Sequence, residues 1–306
     1  MTVAIEIKDL KKHYGNVKAV DGVSFAVKEG ECLAILGPNG AGKTTTIEIL
    51  EGLRKPDAGE IFYFGKRVER VGRDIKEVIG VQLQTSSFMD YLNVKETIEF
   101  FGGLYSKSLK PEELIELVEL QEKARARVKN LSGGQKQRLA IAVALVNDPK
   151  IVFLDEPTTG LDPQARRLLW DTVLKLKEKK KTIILTTHYM EEAEYLADRI
   201  VIIDHGKIIA EGTLEELIKM IEEKNVIEFS LSDSHDEVFS VLAEHFTTLE
   251  KQDGNRFSLS TTDVEKSLAQ IFKIVSELEN SIENVMIRKP NLEDVFLKLT
   301  GHSLRD

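Results

Sequence analysis

Residues 37–45, reading Gly37, Pro38, Asn39, Gly40, Ala41, Gly42, Lys43, Thr44 and Thr45, fit the pattern G-x-x-x-x-G-K-[ST]. Glycines at these spacings let backbone N–H groups turn inward on phosphate oxygens, and a helix that starts there adds the positive end of its dipole. Lys43 supplies a full charge for the β and γ phosphates of a nucleotide, and the Thr44 hydroxyl supplies a ligand for Mg2+. A second pattern is Ile151, Val152, Phe153, Leu154, Asp155 and Glu156, four apolar residues that end in two carboxylates. Asp155 suits the shell of Mg2+, and Glu156 beside it suits orientation and polarisation of an attacking water. The chemistry these two patterns describe together is hydrolysis of a nucleotide phosphate. In a third, Leu131, Ser132, Gly133, Gly134 and Gln135, a good N-cap precedes two glycines with uncovered N–H groups. That makes a second helix start able to hold an anion.

These groups meet only if the chain delivers them to one place. Residues 31–36 are an apolar run that reads as a buried strand entering the first loop, and residues 45–50 continue from it as a helix. Residues 151–154 and 182–187 read as buried parallel strands, the second ending in His188. A further strand over 78–83 runs into Gln82, Leu83 and Gln84 and the turn-like Thr85, Ser86 and Ser87. A glutamine there is either a solvated strand-end residue or one that reaches the metal or its water through its amide oxygen. The carboxyl ends of parallel strands share one sheet edge, so Gly37, Gln84, Asp155 and His188 are expected on it. Between the strands, residues 74–146 turn helical, with helices expected over 94–105, 111–120 and 136–146, and another follows over 164–177. Runs at 3–10, 17–27 and 59–64 predict an antiparallel layer. Tyr14, before Gly15 and Asn16, is either a hairpin residue or a flat ring able to stack on a base.

A chain of 306 residues exceeds what one core usually supports, so two domains are expected. A net charge of −9 argues against nucleic acid or an anionic lipid surface as the main partner. No apolar run reaches the length of a membrane span, and the first residues lack a basic segment followed by an apolar one. The expectation is a soluble, unexported chain in a reducing cytoplasm, with its single cysteine, Cys32, a core residue. The lysine-rich stretch 175–181 reads as a solvated helix end.

After a helix over 213–223 the pattern restarts. Strand 226–231, helix 237–246, strands 248–252 and 256–260 about Asp253, Gly254 and Asn255, helix 264–278 and strand 282–288 follow in turn, and a short helix over 292–299 closes. The order β-α-β-β-α-β predicts a ferredoxin-like unit. Nothing in it gathers ionisable residues as a catalytic site does, so a packing, dimerising or coupling role is expected. The expected domains are residues 1–220, with a helical insertion at about 85–145, and an accessory domain over 221–306.

With these motifs in order, residues 3–215 resemble the nucleotide-binding subunit of an ATP-binding cassette (ABC) transporter. The resemblance implies an α/β fold: a P-loop NTPase cassette with an antiparallel β-subdomain and a helical insertion, here joined to a small C-terminal α+β domain. It implies ATP and Mg2+ as ligands, held in the loop at 37–45, with Thr44, Asp155 and Gln84 near the metal. It makes Glu156 the catalytic glutamate, His188 the switch histidine and Gln84 the glutamine that precedes the helical insertion, with Gln82 the alternative. Thr159, Gly160, Leu161 and Asp162 are similar to the family's D-loop, with Gly where Ala is more usual, and Tyr14 aligns with the aromatic that stacks on adenine. In the family two cassettes pair head to tail, as a homodimer or heterodimer, and each ATP lies between one phosphate loop and the partner's signature, here Ser132, Gly133, Gly134 and Gln135. Separate transmembrane permease subunits take up the motion, which places such a chain in the cytoplasm on the inner face of the membrane. The ending Pro290, Asn291, Leu292, Glu293, Asp294, Val295, Phe296, Leu297, Lys298, Leu299, Thr300, Gly301 resembles the tail of subunits of drug-resistance-type exporters. A soluble cassette acting in translation or protein assembly is the rival. The translation type usually carries two cassettes in one chain, and the assembly type lacks the appended unit.

Overall fold

The computed structural model describes residues 2–84, 87–221, 225–232, 236–252, 255–278 and 280–301. The turn residues Thr85 and Ser86, the hairpin residues Asp253 and Gly254, and positions 222 and 223 of the expected helix lie outside these. The chain divides into two compact units, one over Met1–Leu214 and one over Glu215–Ser303.

In the first unit the strands are β1 (Val3–Tyr14), β2 (Val17–Lys28), β3 (Cys32–Leu36), β4 (Ala58–Tyr63), β5 (Lys66–Arg67), β6 (Ile79–Gln82), β7 (Ile151–Asp155), β8 (Thr182–Thr187), β9 (Arg199–Asp204) and β10 (Lys207–Gly212). The helices are α1 (Lys43–Leu50), α2 (Arg73–Lys76), α3 (Val94–Gly102), α4 (Pro111–Leu117), α5 (Gly133–Ala144), α6 (Pro163–Glu178) and α7 (Met190–Leu196), and α8 (Leu214–Lys219) begins at the unit boundary.

Six strands form the central sheet in the order β10-β9-β3-β8-β7-β6, parallel except for the β9–β10 hairpin. All residues of β3, β7 and β8 are buried, as strands covered on both faces must be. Phe153 at the middle of β7 is fully enclosed, and truncating such a ring to Ala costs about 3–5 kcal/mol. The register brings the strand ends level: Leu36 pairs with Thr187, Thr186 with Asp155, and Leu154 with Gln82. The residues that follow those ends therefore emerge side by side. A separate antiparallel sheet has the order β2-β1-β4-β5.

The helices α3, α4 and α5 differ in extent from their periodic pattern for local reasons. α3 stops at Gly102, where a second glycine follows, and α4 stops before Glu119, which adopts a left-handed φ of 56°. α5 starts at Gly133 because Ser132 caps it through a reciprocal pair with Gln135, which draws both glycines into the first turn. The lysine-rich stretch is tied down as well: Lys175 pairs with Glu119, Lys177 with Asp198 and Lys181 with Asp148. Such exposed pairs are each worth about 0–1 kcal/mol.

The second unit carries β11 (Asn225–Leu231), α9 (Asp236–His245), β12 (Leu249–Lys251), β13 (Arg256–Thr261), α10 (Val264–Glu277), β14 (Ile282–Arg288) and α11 (Leu292–Thr300). Its antiparallel sheet has the order β12-β13-β11-β14. Ile227, Phe229, Phe257 and Leu259 pack with Leu242 of α9 and Ile271 and Val275 of α10. Arg288 ties the sheet to the closing helix, bonding Glu228 at 2.6 Å and Asp294 at 2.7 Å, while Asn291 caps α11.

Candidate active site

The phosphate loop leaves β3 and enters α1, and sterics fix its glycines. A Cβ on Gly37 would lie 2.1 Å from the Ile203 carbonyl oxygen, and one on Gly42, the α1 N-cap with φ 103°, would lie 2.1 Å from that of Ala19. Within the loop Ala41 N–H bonds the Pro38 carbonyl at 3.2 Å, Asn39 is exposed, and Thr45 is half-buried. Lys43 is 4% exposed, and its Nζ donates to the carbonyls of Gly37 at 2.8 Å and Pro38 at 3.0 Å. Burial pulls its ammonium below the ordinary lysine range, against the pull of Glu156.

Glu156 is the centre of the site. It stands one residue beyond β7 with a left-handed φ of 45°, uncommon for a residue with a side chain and a form of strain that concentrates at functional positions. Thr186 holds that turn, its hydroxyl accepting from Glu156 N–H at 3.0 Å. Glu156 Oε1 lies 3.3 Å from Lys43 Nζ and 3.3 Å from His188 Nδ1. Its Oε2 accepts from Gln84 Nε2 at 3.1 Å and from Thr159 Oγ1 at 3.2 Å. Burial acts to raise the Glu156 carboxyl, but Lys43 and His188 outweigh it and hold the group below its usual value. A carboxylate charged at neutral pH and fixed from four sides is the result.

Asp155 Oδ1 accepts from the Thr44 hydroxyl at 3.3 Å and from the Thr186 hydroxyl. Burial pushes this carboxyl up, and those two hydroxyls pull against it. Among the described residues no cluster of three His, Cys, Asp or Glu could cage a metal. A hydroxyl and a carboxylate side by side are nonetheless hard oxygen donors of the kind Mg2+ takes, since Mg2+ keeps waters and phosphate oxygens in its other positions. The donor set fits the ion.

The structure thus brings Lys43, Thr44, Gln84, Asp155, Glu156 and His188 together. Gln82 is left out: it is buried in β6, and its amide donates to the Leu83 carbonyl at 2.6 Å. Tyr14 is 42% exposed at the β1–β2 turn, with Lys12 Nζ 5.5 Å and the Arg54 guanidinium 5.6 Å from its ring centre. Asp162 caps α6 by accepting from Ala165 N–H at 2.8 Å. Ser132 and Gln135 bond each other, while Gly134 packs so closely on α6 that a Cβ would lie 2.9 Å from Ala165 Cβ. Sequence reasoning missed Thr186 and placed Thr159 in the D-loop without its contact to Glu156. Two threonines closing an otherwise apolar strand were the available signal for the first, and a hydroxyl three residues after Glu156 was the signal for the second. Cys32 is fully buried, and burial pushes its thiol up to about 12, which leaves it inert near neutral pH.

A phosphate loop at a parallel sheet edge, faced by the carboxylates of the neighbouring strand, defines a nucleoside-triphosphatase of the P-loop class. The model of the ABC transporter family matches residues 20–159. The Nod factor export ATP-binding protein I of Burkholderia orbicola is 41% identical over 316 residues, covering 100% of both chains. That of Rhizobium meliloti is 40% identical over 310 residues, covering 100% of this chain and 90% of the relative. Among solved structures, the ADP conformation of an ATP-binding cassette of an ABC transporter superposes with a TM-score of 0.64 at 27% identity, over 71% of this chain and 93% of that one. A dimeric cassette in a post-hydrolysis state bound to ADP and Pi superposes with a TM-score of 0.62 at 29% identity, over 68% and 98%. This chain belongs to the ABC transporter family, as one of its ATP-binding cassette proteins.

Proposed function

We propose that this chain is the ATP-hydrolysing subunit of an ABC exporter, pairing with a second cassette around two ATP and driving separate membrane subunits. The observation that carries the reading is the convergence of Lys43, Gln84, Thr159 and His188 on the single carboxylate of Glu156, beside Asp155 and Thr44.

In this reading the loop at 37–45 and Lys43 bind the phosphates, and Tyr14 stacks on adenine. Thr44, Asp155 and the amide oxygen of Gln84 would hold Mg2+, which would supply charge neutralisation at the phosphate oxygens. Glu156 accepts a proton from water as its oxygen bonds the γ-phosphorus and the bond to the β–γ bridging oxygen breaks. His188 and Gln84 hold the carboxylate and the water in line. Lys43 exchanges Glu156 for the γ-phosphate, which frees the carboxylate to act as the base. Ser132, Gly133, Gly134 and Gln135 receive the γ-phosphate bound by the partner cassette, next to its Asp162 segment.

The names of the relatives support export and a membrane complex. Met89, Tyr91, Phe100 and Leu104, in or beside α3, are exposed and suit contact with a permease. No helix among the described residues is long and apolar enough to cross a membrane, and in this reading the separate permease subunits supply the spans. The working site is the inner face of the cell membrane. The cassette takes residues 1–220, with the insertion at about 85–145, and residues 221–306 form an accessory domain.

The test is co-expression with a transmembrane permease subunit and co-purification of the two. A stable complex whose ATP turnover is lost in Glu156→Gln supports the reading. Failure of the two to associate, with ribosomes or an assembly scaffold bound instead, favours the soluble rival.

A further inference from the structure

Two helices stand directly behind the turns that carry Glu156 and His188. α6 begins after Asp162, and α7 begins two residues after His188. Glu192 of α7 is wholly buried, and its Oε1 accepts from the indole Nε1 of Trp170, in α6, at 3.0 Å. The hydroxyls of Thr187 and Thr158 and the Arg166 guanidinium face the same carboxyl. Thr187 immediately precedes His188, and Thr158 lies two residues after Glu156. Arg166 also lies 4.5 Å over the ring of Tyr189, whose N–H bonds Thr187 Oγ1 at 2.9 Å. One carboxyl thus bonds α7, which follows the His188 turn, to α6, with Thr187 and Thr158 beside it.

An acid here is costly on its own terms. Leu or Met would fill the space between two helices without desolvating a charge. Glu192 Oε2, Thr158 Oγ1 and Arg166 Nε are buried with no partner in good hydrogen-bond geometry, so the cluster has bonding capacity to spare. Buried polar groups gathered this way fix relative position, which an apolar contact does less sharply.

We propose that Glu192 is a positioning residue for hydrolysis: it fastens α7, and with it the Thr187, His188 and Tyr189 turn that leads into α7, to Trp170 of α6 and so holds His188 against Glu156. The inference rests on the reading of Glu156 and His188 as hydrolytic groups. Trp170 is the sole tryptophan, so the chain carries its own reporter.

ATP turnover of the full chain is measured for wild type, Glu156→Gln, Glu192→Gln and Glu192→Ala, with Trp170 emission recorded with and without MgATP. Glu192→Ala should lower kcat about 10- to 100-fold, the cost of a misplaced catalytic group. KM for ATP should stay within about twofold, because the phosphate loop is untouched. Glu192→Gln keeps the shape and the acceptor for Trp170 and should recover most of kcat. MgATP should shift Trp170 emission in wild type and Glu192→Gln and not in Glu192→Ala. Wild-type kcat in a folded Glu192→Ala, or the same MgATP response in all three, overturns the proposal. So does a loss confined to the melting temperature and the active fraction, which is what a merely structural residue gives. If Glu192→Ala does not fold, Trp170→Phe keeps an aromatic ring, though a smaller one, and removes the donor, and its kcat should fall about fivefold, the worth of one hydrogen bond. Unchanged kcat there overturns the proposal equally. Turnover that survives Glu156→Gln strikes instead at the underlying reading of the site, whatever the Glu192 variants do.

Discussion

Lys43 and Glu156 stand 3.3 Å apart with both side chains almost wholly buried, so a phosphate-binding cation and a candidate general base neutralise each other across the site. Each is costly to leave alone, since removing one member of a buried pair costs about 3–5 kcal/mol.

Lys43→Ala should therefore show two losses. ATP turnover disappears, because the γ-phosphate lacks its main counterion. MgATP also stops raising the melting temperature, whereas a ligand at 100 times its Kd stabilises a competent protein by about 3 kcal/mol. Calorimetry and a phosphate-release assay check both, and undiminished turnover would remove Lys43 from the site.

Glu156→Gln keeps shape and most hydrogen bonds but loses the base, so kcat should fall about 10²–10⁴-fold while binding survives. The slowed chain should accumulate as an ATP-dependent dimer, measured by size-exclusion chromatography with light scattering. Adding Ser132→Arg should abolish it, since a long side chain then fills the helix start offered to the partner's nucleotide. Repeating the comparison on a chain ending near residue 223 separates this dimer from any formed by the second unit.

Tyr14→Ala should weaken nucleotide binding and leave kcat near wild type. Stacking acts about equally in the ground and transition states, so it moves KM rather than kcat. A large fall in kcat at saturating ATP would assign the ring another task, and steady-state kinetics decides.

Glu51, which follows α1, is 3% exposed, and neither carboxyl oxygen has a hydrogen-bond partner. Burial raises its pKa to about 9, with Asp155 and Glu48 adding to the shift. A folded-state pKa above the unfolded value of 4.5 means stability that is whole below 4.5 and is lost as pH rises towards 9. Glu51→Gln removes that ionisation. Its stability advantage over wild type should grow by on the order of 1 kcal/mol per pH unit across the window and level off above it. Urea denaturation from pH 4 to 10 measures this, and parallel curves would show that Glu51 ionises normally.

What the sequence determined by itself is local. The phosphate loop, the apolar strand runs and the Ser132 cap are legible because glycine sterics, strand burial and helix capping act over a few residues. Which side chains meet was decided only by the tertiary structure, because it depends on register between strands far apart in the chain. Gln82 and Gln84 look alike on paper. Only the pairing of Gln82 with Leu154 shows that β6 ends there, burying the first glutamine and releasing the second to reach Glu156. Thr186 reaches the Asp155 carboxylate and the Glu156 backbone N–H because β8 lies beside β7, and Glu192 meets Trp170 across 22 residues because α6 and α7 pack together. No periodicity encodes such meetings; they follow from burying several apolar faces at once, which fixes every register together.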